Sequence, residues 1–284
     1  MSGPAAPEPL LVWPAPAKLN LFLHVLGRRA DGYHELQTAF QLLDFGDDLT
    51  FTSRADGEIH RPAGVAGLPE ADDLVVRAAR LLRSEMGTSR GVDIRVTKRI
   101  PVGGGLGGGS SDAATTLVAL NHLWGGGLAT EDLARLAARL GADVPVFVHG
   151  RSAWAEGTGD RLMPLDLPDR WFLVIHPGVP VPTAEIFAAP ELTRNSAPIT
   201  ISCFLSGGGR NDCTQVVRTR YAEVGRALDW LGRHGEARLT GTGACIFAAF
   251  DQAERARAVL GRMPAEWRGF VARGLNRSPL LDRV

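Results

Sequence analysis

The chain has 284 residues, 45% of them apolar, with 31 basic side chains against 31 acidic ones. That is enough for one large domain or two ordinary ones around a real core, and a balanced charge gives no case for nucleic acid as a partner. No apolar run reaches eighteen residues, so no membrane span is expected; the three cysteines Cys203, Cys213 and Cys245 form no CxxC, which excludes a disulfide framework or thiolate zinc site and fits a reducing, cytoplasmic setting.

Residues 1–16 lack a basic region followed by a long apolar one, so no signal peptide is expected, and the proline-rich first ten read as a loose tail. Over 15–26, Leu19, Leu21, Leu23 and Val25 share one strand face, with Lys18 and Asn20 on the other. On this segment alone a solvated lysine is the simpler reading. Asp31-Gly32 is a turn signal, which makes 28–34 an exposed hairpin-like loop carrying Tyr33 and His34. As an isolated pair these rings read more simply as surface residues than as a platform for a base. Residues 45–59 are acidic and strand-like. Asp72 or Asp73 can cap a helix with Leu74, Val75, Ala78, Ala79 and Leu82 on one face and a stop near Gly87.

Val92, Ile94 and Val96 alternate with polar residues as in a half-buried strand, and the strand leads through Lys98 into PVGGGLGGGSSDAA, residues 101–114. Glycine costs folding entropy, so Gly103, Gly104, Gly105, Gly107, Gly108 and Gly109 together need a ligand close to bare backbone or φ angles closed to other residues. Beyond them, Ala113, Leu117, Leu120 and Trp124 fall on one helix face. Strand, glycine loop and helix N-terminus turn free N–H groups and a positive helix end toward a phosphate, and Ser110 and Ser111 add hydroxyls that can reach it or its Mg²⁺. A flexible linker does not fit between an alternating strand and an amphipathic helix. Gly103, Gly105 and Gly108 spell GxGxxG, but the acids twenty-odd residues on, Glu131 and Asp132, open a helix-like run rather than ending a strand, so the dinucleotide reading is weak. No Gly-Lys-Ser/Thr closes the loop as in a P-loop.

A helix from about Thr130 stops at Gly141, and Asp143 follows, as readily a turn former as a general base; Pro145 is expected to hold 144–148 as a stiff loop. The rhythm changes near 159–164, which divides the chain into 1–160 and 161–284. In the second part, 171–176 reads as a buried strand and 177–187 as an extended, proline-stiffened loop. Residues 195–212 read as polar and mobile, and 218–231 as a helix. Gly241 and Gly243 punctuate a second turn entering an apolar run, before a helix over 251–260 and a strand at 269–271.

PAKLNLFLHVLGRRADGYHEL, PVGGGLGGGSSDAA and LTGTGACIF together resemble the GHMP kinases, the superfamily of galactokinase, homoserine kinase and mevalonate kinase. GADVPVF, PTAEIF and the triplet Asn211-Asp212-Cys213 are similar to the branch whose alcohol substrate is 4-diphosphocytidyl-2-C-methyl-D-erythritol, in the non-mevalonate route to isoprenoid precursors. The resemblance runs over about 13–281. It implies an α/β (α+β) two-domain fold, with a ribosomal-protein-S5-like first half, a ferredoxin-like second half and the reactants in the cleft between them.

The same resemblance implies ATP as phosphoryl donor with Mg²⁺ held mainly by phosphate oxygens, Ser110 or Ser111 being the protein contact. Pro101, Leu106 and the glycines from Gly103 to Gly109 would wrap the phosphates, with Lys98, Asp73 and Leu74 along the adenine; relatives often carry asparagine where this chain has Asp73. Asp143 would be the general base and Lys18 its cationic partner. Asn20 would place the methylerythritol part, Tyr33 and Phe187 would sandwich a cytosine, and His34 would bond its edge. Thr183, Gly241, Thr242 and Gly243 would line the cleft near the reacting hydroxyl. The partner implied is this small molecule, with no nucleic acid or membrane, and the chain a monomer or weak homodimer. A kinase for another small alcohol, or a non-catalytic nucleotide- or RNA-binding module, are the rival readings; neutral charge and the presence of both Lys18 and Asp143 oppose the module.

Overall fold

The computed structural model describes residues 11–63 and 69–284; the loose tail expected over the first ten lies outside them. Two long strands, β1 (Trp13–Arg28) and β2 (His34–Arg54), form an antiparallel hairpin. Its tip is the expected turn: Gly32 takes a φ of 87°, and the Asp31 carboxylate accepts from the Tyr33 amide at 3.1 Å. Then follow β3 (Ile59–His60), α1 (Leu74–Met86), β4 (Gly91–Thr97), α2 (Gly108–Leu123), α3 (Thr130–Ala138), α4 (Val144–His149), β5 (Ala153–Gly157) and β6 (Arg161–Pro164). The second half brings β7 (Trp171–His176), α5 (Thr183–Ala188), α6 (Ile201–Leu205), α7 (Thr214–Arg220) and α8 (Ala222–Gly232). It ends with β8 (Arg238–Leu239), β9 (Ile246–Phe250), α9 (Ala253–Leu260) and β10 (Arg268–Leu275).

β2 is the spine. One edge is covered by β1; the other is shared by β5 at residues 36–40, β10 at 42–43 and β4 at 48–54. From β10 the sheet continues through β7, β9 and β8, so one sheet runs through both halves in the order β3-β4-β2-β10-β7-β9-β8. β6 pairs with β5.

Two main cores flank this sheet. In the first, α1 and α2 lay Val75, Val76, Leu82, Ala113, Leu117 and Leu120 against Leu42, Leu49 and Ile94. In the second, Val224, Leu228 and Leu231 of α8 and Ala256 of α9 cover Leu173, Ile175, Ile246 and Ala248. A smaller core joins the halves: Leu106 packs with Ala17, Leu19, Leu43, Ile100, Phe172, Cys245 and Phe247.

The structure corrects several local expectations. Residues 144–148 are not a stiff loop: Pro145 sits in the first turn of α4, where its missing N–H would be unpaired anyway. The stretch 177–187 is extended only to Pro182, after which Thr183 opens α5. Residues 195–212 contain α6, and the segment is tied to β1: the Asp212 carboxylate accepts from the Val25 amide at 2.8 Å and the Ser196 hydroxyl at 2.6 Å. The helix expected over 218–231 is two helices, broken at Tyr221, whose φ and ψ of −124° and 83° are not helical. α2 starts inside the glycine run, at Gly108, because Gly107 takes a φ of 72° and turns the chain into the helix there.

Asp73 caps α1, accepting from the Val75 amide at 3.0 Å, and the same carboxylate pairs with Arg61; both side chains are buried. Removing one partner of a buried pair leaves the other charge uncompensated. Asp73→Ala is therefore expected to cost about 3 kcal/mol or more, cap included, read as a lowered urea midpoint with an unchanged slope. A loss below about 1 kcal/mol, the size of a cap alone, would show that Arg61 reaches solvent without it.

Candidate active site

A cleft of about 1000 Å³ opens between the halves. One wall is the glycine loop, which is held by the other half through its backbone. The amides of Ala244 and Cys245 donate to the carbonyls of Gly103 and Gly104 at 3.3 and 3.1 Å, and the Thr240 hydroxyl donates to the Gly105 carbonyl at 3.2 Å. Gly105 has a φ of 73°, and a Cβ there would overlap the Thr240 carbonyl oxygen, so side-chain freedom and space are both denied. Leu106, the one apolar residue among the glycines, is the anchor: it is buried in the small joining core, and its carbonyl accepts from the Lys18 amide at 3.0 Å. Among the described residues no side chain caps α2, whose first residues Gly108, Gly109 and Ser110 line the cleft as a positive, hydrogen-bonding end.

Lys18 reaches the cleft floor from β1. Its side chain is 97% buried, and its ammonium donates to Asn20 Oδ1 at 2.5 Å, lies 3.1 Å from Asp143 Oδ2 and sits 5.3 Å from the centre of the Phe40 ring. The Asn20 amide is oriented by Thr38, to whose hydroxyl it donates at 3.0 Å; that hydroxyl in turn donates to the Phe22 carbonyl. Asp143, just before α4, is about one-third exposed and faces the cleft. A fixed ammonium thus stands beside an accessible carboxylate, in the same cleft as the positive end of a helix.

Across the cleft, Phe187 of α5 stacks on His34, ring centres 5.0 Å apart at 27°, while Tyr33 is 66% exposed at the hairpin tip. Burial, with Arg194 and Arg28 nearby, holds the His34 imidazole below its ordinary pKa, so the ring is neutral at pH 7. The Thr183 and Thr242 hydroxyls share a hydrogen bond at 2.9 Å, and Asn211 fixes the neighbouring turn by donating to the carbonyls of Leu239 and Gly241.

The residues singled out from the sequence converge here. Lys18, Asn20, Tyr33, His34, Asp73, Leu74, Lys98, Pro101, the loop from Gly103 to Ser110, Asp143, Thr183, Phe187, Gly241 and Thr242 all line the cleft. Ser111 and Gly243 do not: Ser111 is fully buried, its hydroxyl without a hydrogen-bond partner among the described residues, which leaves Ser110 as the serine facing the cleft. Sequence reasoning passed over Thr38, Phe40, Arg61 and Asp112. Asp112 lay in plain sight within the serine motif; the others carry no local signal.

Asp112 belongs to a buried cluster under the loop. Lys98 Nζ donates to Asp47 at 2.5 Å and Asp112 at 2.7 Å, and Asp47 also accepts from the Arg99 and Ile100 amides. Burial opposes the Lys98 charge, but the two carboxylates outweigh it and hold its pKa above the ordinary value. With one cation for two acids, burial pushes the Asp112 carboxyl up from 3.8 to about 7, against the pull of Lys98 and with the push of Asp47.

The chain matches the family models for the GHMP kinases N terminal domain over residues 73–151 and the GHMP kinases C terminal over 191–269. It is 62% identical over 272 residues to 4-diphosphocytidyl-2-C-methyl-D-erythritol kinase of Alkalilimnicola ehrlichii, covering 96% of this chain and 94% of that one. The chain belongs to this family of GHMP kinases. The relative of the same name from Halorhodospira halophila is 59% identical, over 95% of this GHMP kinase and 94% of the other. A crystal structure of 4-(cytidine 5'-diphospho)-2C-methyl-D-erythritol kinase superposes with a TM-score of 0.82 at 34% identity, over 93% and 99% of the two chains. The mevalonate kinase of Methanococcus jannaschii, at 16% identity and a TM-score of 0.68 over 95% and 99%, shares the two-domain fold.

The Asp112 shift has a sign. Between about pH 4 and 7 the folded GHMP kinase holds a proton that the unfolded chain has lost, so this group makes stability fall as pH rises through that window and adds nothing above it. Between pH 5 and 8 the wild type is expected to lose more of its urea midpoint than Asp112→Asn does. Equal losses would show that Asp112 stays ionised in the fold.

Proposed function

We propose that the chain transfers the γ-phosphoryl group of ATP to the 2-hydroxyl of 4-diphosphocytidyl-2-C-methyl-D-erythritol, giving ADP and the 2-phosphate. The observation that carries this reading is the Lys18–Asp143 pair, placed in one cleft between an uncapped helix end and a stacked His34–Phe187 wall. Asp143 accepts the proton of the hydroxyl; the freed oxygen electron pair attacks the γ-phosphorus, and the bond to the β–γ bridging oxygen breaks to release ADP. Lys18 offsets the charge growing on the attacking oxygen, and the loop amides take up charge on the phosphates.

ATP enters as its Mg²⁺ complex. Among the described residues no group of three or more His, Cys, Asp or Glu side chains could hold a metal. The ion would therefore ride on phosphate oxygens, with the Ser110 hydroxyl as the protein contact, a mode suited to Mg²⁺. Asp73 and Leu74 would lie along the adenine, with the Asp73 carboxylate already engaged by Arg61 and the helix end. Tyr33 would close on the cytosine from the hairpin tip against Phe187, and Asn20 would place the methylerythritol. Among the described residues no helix is long and apolar enough to cross a membrane, and the free thiols Cys203, Cys213 and Cys245 support a cytoplasmic reaction.

Phosphorus NMR with ATP, Mg²⁺ and the cytidylyl substrate is expected to show a new phosphomonoester appearing with ADP, absent when mevalonate or homoserine is supplied. Loss of a general base costs about 10²–10⁴ in rate, so Asp143→Asn should turn over at that level with substrate binding retained. Near-wild-type turnover would remove Asp143 from the role. For the base pocket, Tyr33→Ala combined with Phe187→Ala should raise KM for the cytidylyl substrate while leaving that for ATP in place. Unchanged saturation in the double variant would defeat the substrate assignment.

A further inference from the structure

Arg194 lies outside the cleft lining and outside every motif of the chain, yet its guanidinium ties two cleft walls together. Nε donates to His34 Nε2 at 3.1 Å, at the start of β2. Nη2 donates to the carbonyls of Phe187 and Ala189, at the end of α5, at 2.8 and 2.7 Å, and Nη1 to that of Leu192, beyond the helix, at 3.1 Å. A guanidinium has donors only and keeps its charge. The imidazole nitrogen that meets it must therefore be the bare one, an acceptor. In a neutral ring the other nitrogen then carries the hydrogen, because each nitrogen's state follows from the bond the other makes. His34 Nδ1 has no partner within the chain among the described residues, is not sealed from solvent, and belongs to a ring lining the cleft.

We propose that Arg194 is a positioning residue that fixes His34 as the Nδ1–H tautomer and thereby sets the pocket for cytosine over uracil. The inference rests on the substrate reading above. A lone N–H offered at the base edge needs an acceptor. Cytosine presents two adjacent acceptors, O2 and N3, where uracil presents an N3–H that would face the imidazole donor-to-donor. An unpaired polar contact of that kind rejects a ligand more strongly than a missing contact does. Without Arg194 the ring is free to take the opposite tautomer and offer a lone pair, which uracil satisfies and cytosine N3 does not.

The first arm of the test needs no variant. In wild-type protein carrying ¹⁵N-labelled histidine, the imidazole signal lost in His34→Gln should show protonated Nδ1 and bare Nε2 at neutral pH. The reverse pattern would overturn the proposal. In Arg194→Met the Nδ1–H pattern should be lost, and KM for the cytidylyl substrate should rise roughly tenfold with kcat changed by less than about threefold. The ratio of kcat/KM between the cytidylyl substrate and its uridylyl analogue should fall by a similar factor. Arg194→Lys, which keeps a donor for Nε2, should recover part of that ratio. A higher KM with tautomer and ratio both unchanged would overturn the proposal, because Arg194 would then act only by holding α5. A wild type inactive on the cytidylyl substrate would instead overturn the function reading, and the tautomer measurement would stand by itself.

Discussion

The site depends on the backbone pairing between the glycine loop and the turn at 240–245. It is made of main-chain groups on both sides, at 3.1 to 3.3 Å, and it joins the two halves at the point where phosphate would bind. At Gly105 the Thr240 carbonyl oxygen occupies the place a Cβ would take, so the loop can seat against the turn there only with glycine. Glycine therefore serves two purposes in one stretch. It leaves amides free on the cleft side and permits the clamp on the other. Leu106 gives the loop a fixed seat, a burial worth about 1.5–3 kcal/mol, so the loop is held in place before any ligand arrives.

Charge is laid out in two layers around that loop. On the cleft side, Lys18 is buried but paired with an accessible carboxylate, and its direction is set by a chain running Phe22 carbonyl, Thr38, Asn20. Beneath it, Lys98 is shared between Asp47 and Asp112. The first cation lines the cleft. The second fastens the exit of β4 and the start of α2 to Asp47 of β2 and so fixes the loop's position.

What could be read in the sequence followed from local chemistry. The strand, loop and helix around 101–114 were legible because a dense glycine run between two periodic segments has few uses. The turn at Asp31-Gly32 and the cap at Asp73 were legible because both act within two or three residues. The misreadings were places where a local signal has two outcomes. Proline stiffens a loop or opens a helix, and at Pro145 and Thr183 the chain chose the helix. Polar stretches such as 195–212 look mobile until a distant carboxylate partner is known, and Asp212 bonds Val25, 187 positions away. Among site residues, Lys18 and Asp143 were ambiguous singly and gained meaning only through the resemblance. Thr38 and Arg61 carry no mark at all, because their roles are defined by neighbours supplied by the fold.

The contacts of Leu280 bear on how the protein is made. This residue is buried in the first core, whose members include side chains of β1, α2 and α4, and the Ser278 amide two residues earlier bonds the Gly150 carbonyl at 2.8 Å. Strand β10, which joins the two halves of the sheet on β2, also comes late in the chain. The first half emerging from a ribosome therefore lacks both a piece of its core and its neighbour strand until the second half has been synthesised. Sequential folding, one domain finishing before the next begins, is the usual course for a chain of this size. Here the order of synthesis and the order of contacts disagree. The unfinished β2 edge at residues 42–43 must wait, exposed, for a partner more than two hundred residues downstream, a long-range closure of the kind that slows folding.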